Sequence, residues 1–374
     1  MIRSKCCWLI VFAMSLTLMF FASKPATAQQ LTVAGFKKNF DADNDGLIQK
    51  SEAKNQLLKN FERIDTNGDD VLDDAELKKL VEQLRRRNNG PRSPASQFVV
   101  PDSVKLTKDV VYREGDSDKW KLDLYVPADK ESSAKKRPAI VFVHGGGWRS
   151  GDKGGGQWRS QPIAYAQKGY VCISINYRLL DEAKFPACIE DCKNAVRWLR
   201  ANADKHGVDS DRIGAYGNSA GAHLVSVLGL TGEDKDLEGD GPYQEFSSAI
   251  QAVVCSAPPT NFMNWDGKTP TDGKLNTRLF GDIDMAKAKE MAAKCSPITH
   301  AKKGVPFLVI HGTADRTVPI YQGDCFVEAL KKAEADVTYI RVDGAGHGVF
   351  GQAAKKTQPA METFFEQTLN QPSE

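Results

Sequence analysis

The sequence carries no surplus of either charge: 50 basic residues face 48 acidic ones over 374 positions, a formal net charge of +2. So small an imbalance offers no long-range field to gather nucleic acid or an anionic lipid surface. Histidine is scarce, at six copies, and none of the eight cysteines forms a Cys-x-x-Cys pair, so a cysteine-based metal site has no support. Long apolar runs are also lacking. The one exception, Cys6 to Ala22, follows Arg3 and Lys5 and leads to the small-residue end Ala26-Thr27-Ala28. At about 17 residues with no stop-transfer pattern after it, the run reads as a secretory signal peptide over residues 1–28, cut before Gln29, rather than a membrane span. Removing Arg3, Lys5 and Lys24 leaves 47 basic against 48 acidic residues. The expected product is secreted or periplasmic, with no membrane attachment after cleavage and no nucleic-acid partner.

Six cysteines remain beyond that segment: Cys172, Cys188, Cys192, Cys255, Cys295 and Cys325. An even count in an exported chain permits disulfides without establishing them. Cys188 and Cys192 fall four apart on an expected helix, which puts their Cβ atoms about 5–6 Å apart, too far for a direct bridge. Cys172 lies in an apolar strand and reads as a small core residue.

Residues 29–84 form a separate small unit. Asp41, Asp43 and Asp45 stand at positions 1, 3 and 5 of a twelve-residue stretch, with Gly46 at 6, Leu47 at 7, Ile48 at 8 and Glu52 at 12. The spacing curls oxygen donors around one centre, as a cation taking six to eight oxygens requires. The pattern resembles the EF-hand loop, and the resemblance implies structural Ca²⁺. A second stretch repeats it with Asp65, Asn67, Asp69, Val71 and Glu76, but Asp70 stands where glycine belongs. Aspartate tolerates the left-handed backbone better than most residues, so that loop is expected to close with weaker affinity. Twelve residues separate the loops, so one shared helix over 53–63 is expected in an all-α EF-hand pair. Residues 85–97, with four arginines and two prolines, read as an exposed linker.

The remaining residues, 98–374, suit one α/β domain. Residues 104–112 and 119–126 alternate apolar with polar, as half-exposed antiparallel strands do. Continuous apolar strands follow at 139–143, 170–176, 212–216, 250–255, 306–310 and 337–342, with helices clearest at 186–202 and 322–333. The fifth of these eight strands runs into Gly217-Asn218-Ser219-Ala220-Gly221 and then an apolar helix. A strand, a Gly-x-Ser-x-Gly turn and a helix make a nucleophile elbow, which throws the serine hydroxyl clear of the backbone. The strand at 139–143 ends in His144-Gly145-Gly146-Gly147-Trp148, where the glycines leave backbone N–H groups uncovered, as an oxyanion site needs. The strand at 306–310 leads to Asp315 and the last strand to His347. Asp343 competes for the acid's role, but Asp315 ends the strand where an acid is expected.

With Ser219, Asp315 and His347 in that chain order, residues 104–365 resemble the α/β-hydrolase esterases with an HGGGW oxyanion motif, close to the bacterial carbohydrate and feruloyl esterases and the hormone-sensitive-lipase-like group. The resemblance implies an α/β-hydrolase fold and a Ser219-His347-Asp315 triad, with the N–H groups of Gly146, Gly147 and Ala220 as oxyanion donors. The elbow departs from those families at Asn218, where histidine or aspartate is common, which leaves the subfamily open. Residues 147–160, 231–248 and 258–300 read as insertions at the catalytic face. Their Trp148, Trp158, Asn261 and Trp265 suit either stacking on a sugar or phenolic ring or packing a cap onto the core. The expected activity is deacylation of a plant or algal polysaccharide. A dipeptidyl- or prolyl-oligopeptidase-like peptidase shares the core and triad but has a propeller this chain lacks. A calcium-dependent scaffold with an inactive hydrolase domain is the non-enzyme alternative.

Overall fold

The computed structural model describes residues 32–54, 57–58, 61–89, 99–128, 136–232, 234–267 and 273–370. The expected signal peptide and most of the expected linker lie outside these. Two compact units divide the chain, Met1–Val99 and Val100–Glu374.

In the first unit, helix α1 (Val33–Phe40) is capped by the Thr32 hydroxyl, which accepts from the Gly35 N–H at 3.0 Å. Two short strands, β1 (Ile48–Gln49) and β2 (Val71–Leu72), pair antiparallel with Ile48 opposite Leu72. The unit is therefore not all-α as expected: the apolar residue at position 8 of each acidic loop pairs with its counterpart and seals the base. Of the helix expected over 53–63, Ala53 and Lys54 are not helical, while 57–58 and α2 (Phe61–Ile64) are. Helix α3 (Asp74–Asn89) runs four residues past Arg85, where a linker was expected to start; arginine is a good helix former and continues it. Phe61, Leu72, Leu77 and Leu80 close a core of their own.

The second unit is built on an eight-stranded sheet. Its strands are β3 (Val104–Val111), β4 (Lys121–Pro127), β5 (Arg137–Val143), β6 (Val171–Ile175), β7 (Val208–Asn218), β8 (Ala252–Ser256), β9 (Phe307–Gly312) and β10 (Val337–Val342). The order is β10-β9-β8-β7-β5-β6-β4-β3, with β3 and β4 antiparallel and the rest parallel. Along β5, Ala139, Val141 and Val143 face one core while Ile140 and Phe142 face the other, so the strand is buried on both sides. Helices α5 (Ala187–Ala201), α7 (Ala220–Leu230) and α10 (Ile320–Lys332) cover the first face, with the one-turn α6 (Ala203–His206) following α5. On the second face lie α4 (Gln157–Gln167) and α12 (Ala354–Leu369). Every residue of α7 is buried, which explains its all-round apolar sequence.

The chain passes from β5 outward to β6 and back to β7 on the other side of β5. This reversal opens a crevice beyond the C-terminal ends of β5 and β7, where α/β sheets place ligands. Residues 258–300 leave the C-terminal end of β8 on this side and carry α8 (Gly273–Phe280) and α9 (Met285–Cys295). Residues 231–248 leave from the other end of α7. They start where α7 ends, eleven residues or about 16 Å from Ser219. Glu238 holds them along α5, pairing with the buried Lys193 at 2.7 Å and with Arg197. Their acidic, glycine-rich composition reflects this pairing.

Phe307 starts β9 fully buried, with its ring edge-on to Phe326 at 5.5 Å. Phe307→Ala is expected to lower the unfolding free energy by about 3–5 kcal/mol in a urea titration, through lost transfer energy and a residual cavity.

Candidate active site

Ser219 links β7 to α7 at φ 55°, ψ −122°, a conformation that non-glycine residues rarely adopt. Two glycines make it possible. A Cβ on Gly217 would lie 2.3 Å from the Gly221 carbonyl, and one on Gly221 would lie 2.1 Å from the Val143 oxygen. Strand, turn and helix therefore meet at backbone distance. The Ser219 N–H donates to the Ser256 carbonyl at 2.9 Å, stitching the turn to β8.

The three candidate triad side chains come together. His347 Nε2 lies 2.9 Å from Ser219 Oγ, and His347 Nδ1 lies 2.8 Å from Asp315 Oδ2. Asp315 is buried and also accepts from the N–H groups of Thr317 at 2.8 Å and Val318 at 3.0 Å. Burial alone would push its carboxyl up, but hydrogen bonds from His311, His347 and those two N–H groups hold it well below the usual carboxylate range. As a carboxylate it can only accept. Nδ1 of His347 is thereby the donor, and Nε2 is left to face the serine. Asp343 is exposed and accepts instead from the Thr313 hydroxyl at 3.0 Å.

The turn after β5 packs against the elbow: a Cβ on Gly145 would stand 3.3 Å from Ser219 Cβ. Gly146 and Gly147 have φ 119° and 61°. The Gly146 carbonyl turns back to accept from the N–H groups of Arg149 and Ser150. His144 braces this turn from inside. Its ring stacks on Tyr177 at 4.4 Å, its carbonyl accepts from the Tyr177 hydroxyl at 2.9 Å, and burial pushes its pKa down to about 4. Lys153 is buried between Asp109 and Asp123 at 2.7 and 2.8 Å, and fixes the far end of the same segment.

Of the four candidate substrate contacts, Trp148 and Asn261 are buried and Trp158 and Trp265 are half-buried. Trp148 is 4% exposed, donates from Nε1 to His223 Nδ1 at 3.1 Å and packs on Phe262. It belongs to the core because its neighbour on α7 offers the one acceptor an indole needs. Trp158 begins α4 inside a stretch expected to be loop, and lies over Tyr216 on the second face of the sheet. The Asn261 carboxamide caps its own turn, accepting from the N–H groups of Met263 and Asn264. Trp265 is half-buried against Phe262.

Sequence reasoning missed two glutamines. Gln322 is fully buried: Oε1 accepts from the N–H groups of Thr260 and Asn261, and Nε2 donates to the carbonyls of Asn261, Asn264 and Trp265. One carboxamide thus holds the loop beyond β8. Gln352 on α11 (Val349–Gln352) accepts from the Gly346 N–H at 2.8 Å, beside His347. Glutamine has no motif of its own; the partners of Gln322 lie far off in the chain, and the nearness of Gln352 to Gly346 carries no pattern that marks it.

The sheet order and this constellation define an α/β-hydrolase fold. Residues 122–330 match the BD-FAE family, and the chain belongs to it. It is 33% identical to Esterase LipC of Mycobacterium tuberculosis over 240 residues, 63% of this chain and 58% of that protein. Esterase LipQ of the same organism is 31% identical over 258 residues, 64% of this chain and 56% of that one. The chain therefore spans little more than half the length of these curated relatives. Among solved structures, a truncated carbohydrate esterase from gut microbiota superimposes with a TM-score of 0.65 at 28% identity, covering 71% of this chain and 97% of that one. A butyrate-bound esterase from Thermogutta terrifontis gives 0.59 at 32% identity, covering 72% and 95%.

His223 is fully buried, accepting from Trp148 on Nδ1 and donating from Nε2 to the Cys295 carbonyl at 2.7 Å, and burial pushes its pKa down to about 4. His144 and His223 each gain a proton in the unfolded chain that they cannot hold when folded. Stability is therefore full above pH 6.5 and falls as pH drops toward 4, by at most about 3 kcal/mol for each histidine. Urea titrations at pH 7 and pH 4.5 should show that loss, and His223→Gln should shrink it by about half.

Proposed function

We propose that the chain is a serine carboxylesterase acting by two-step acyl transfer, and the Ser219–His347–Asp315 hydrogen-bonded chain is the observation that carries the reading. Ser219 Oγ attacks the ester carbonyl as its proton passes to His347 Nε2, while Asp315 holds Nδ1–H and stabilises the imidazolium. The tetrahedral oxyanion is met by the N–H groups of Gly146, Gly147 and Ala220, each such donor contributing about 3–4 kcal/mol. Collapse expels the alcohol, which takes the proton from His347. Water, deprotonated by the same ring, then cleaves the acyl-enzyme and restores Ser219. Membership of the BD-FAE family, the esterases named above and the carbohydrate-esterase neighbour support this reading. We take the substrate to be an acetyl or feruloyl ester on a plant or algal polysaccharide. The signal-peptide pattern of residues 1–28 supports action outside the cytoplasm, secreted or periplasmic. Among the described residues, no helix is long and apolar enough to cross a membrane.

In the N-terminal unit we propose two calcium sites of EF-hand type, structural rather than catalytic. The donor chemistry of the first loop fits: carboxylate oxygens of Asp41, Asp43 and Asp45 lie within 4.8 Å of one another, and Asp41 Oδ1 is buried with no hydrogen-bond partner. Asp41, Asp43, Asp45, the Leu47 carbonyl and Glu52 would hold the ion. In the second loop Asp70 adopts φ 60°, where glycine stands in the first, and its N–H reaches Asp65 Oδ2 at 2.9 Å. This matches the Gly46 N–H on Asp41 Oδ2 at 3.0 Å. Asp65, Asn67, Asp69, the Val71 carbonyl and Glu76 would form that site. When bound, the ion supplies charge neutralisation and cross-links each loop.

Ser219→Ala should lower kcat on 4-nitrophenyl acetate by at least ~10³-fold while the fold is kept. Hydrolysis of a proline-linked peptide in preference to every acetylated or feruloylated glycan would overturn the esterase reading in favour of a peptidase. Calcium at about 100 times a site's dissociation constant should raise the unfolding free energy of the N-terminal unit by about 2.7 kcal/mol for that site, and Asp41→Ala should abolish the first loop's share. A melting curve unmoved by calcium would contradict it.

A further inference from the structure

One buried imidazole takes no part in the steps above. His311 stands near the end of β9, four residues before Asp315, and is fully buried. Its Nε2–H donates to the Val318 carbonyl at 2.9 Å and lies 3.5 Å from Asp315 Oδ2. Val318 in turn donates its N–H to Asp315 Oδ1 at 3.0 Å, beside Thr317 at 2.8 Å. A closed circuit results. The ring holds Val318, Val318 and Thr317 hold one carboxylate oxygen, and the other oxygen receives His347 Nδ1 at 2.8 Å.

The second ring nitrogen sharpens the point. His311 Nδ1 is buried with no hydrogen-bond partner. With Nε2 donating, Nδ1 is the bare acceptor, so half of this side chain's polar capacity is unfilled inside the core. An unsatisfied buried group needs an explanation, and an apolar ring of similar size would fill the space without one. What an apolar ring cannot supply is the N–H aimed at the 315–318 turn. The ring is also clamped in place: a Cβ on Gly323 of α10 would lie 2.6 Å from Nδ1.

We propose that His311 is a positioning residue for the hydrolytic reaction, fixing the 315–318 turn from below so that the Asp315 carboxylate orients His347 toward Ser219. This rests on the esterase reading above. His311 touches neither substrate nor the reacting atoms, and acts through Val318 and Asp315.

The test compares His311→Leu, which removes the donor, with His311→Gln, whose side-chain N–H reaches the same direction. On 4-nitrophenyl acetate, His311→Leu should lower kcat by about 10- to 100-fold with KM changed by less than about twofold, since a small misplacement of catalytic groups costs that much. His311→Gln should recover most of the loss. The low-field proton resonance of the His347 Nδ1–H···Asp315 bond should be lost in the leucine variant and present in the glutamine one. A folded His311→Leu enzyme with wild-type kcat and resonance would overturn the proposal, as would a kcat loss that glutamine leaves unrepaired. If the leucine variant does not fold, Gly323→Ala presses on Nδ1 instead and should lower kcat and shift the same resonance. An unchanged kcat and resonance there would equally overturn it. Absence of ester hydrolysis by the wild type would instead sink the esterase reading, and the resonance would still report the positioning.

Discussion

Backbone contact between the turn after β5 and the elbow after β7 is the constraint on which the second unit's site depends. Gly221 rests on the carbonyls of Val143 and His144 with no room for a methyl group, and Gly217 rests on Gly221. These contacts force Ser219 into its unusual backbone conformation and set Gly145 beside its Cβ. A strained residue persists only where its surroundings over-determine it. Here they are the stitch from Ser219 to Ser256, the wholly buried α7 and the two parallel strands beneath.

Each loop that brings a further group to that serine is held by a polar side chain, buried in every case but the exposed Gln352. His144 and Lys153 hold the glycine turn, Gln322 holds the loop beyond β8, Gln352 holds the loop of His347, and His311 lies beneath Asp315. Loops carry chemistry well only when a rigid frame fixes them. Burying these groups is costly unless they are bonded, and most of their bonds go to the main chain of the loop they brace.

Much of the second unit was legible because the strands there are continuous apolar runs and the motifs sit at their ends. All eight expected strands appear, the last with the bounds expected and the other seven with an end displaced by one to four residues. Three things were not legible. Residues 231–248 looked like an insertion at the catalytic face because glycine and acid suggest a loop, but the length of α7 decides at which end of the sheet a loop emerges. Trp148 stayed open between stacking on a substrate ring and packing the core because nothing local reveals that His223, 75 residues on, meets its indole nitrogen. The β1–β2 pairing was hidden because two-residue strands carry no periodicity.

The central claim is that Ser219 is a nucleophile activated by His347. Incubating the protein with a 4-nitrophenyl alkylphosphonate and mapping the adduct by mass spectrometry tests it most directly. The account predicts one stoichiometric phosphonyl group on Ser219, formed far more slowly in His347→Ala. An adduct on any other residue that abolished ester hydrolysis, or full activity with Ser219 unmodified, would contradict it.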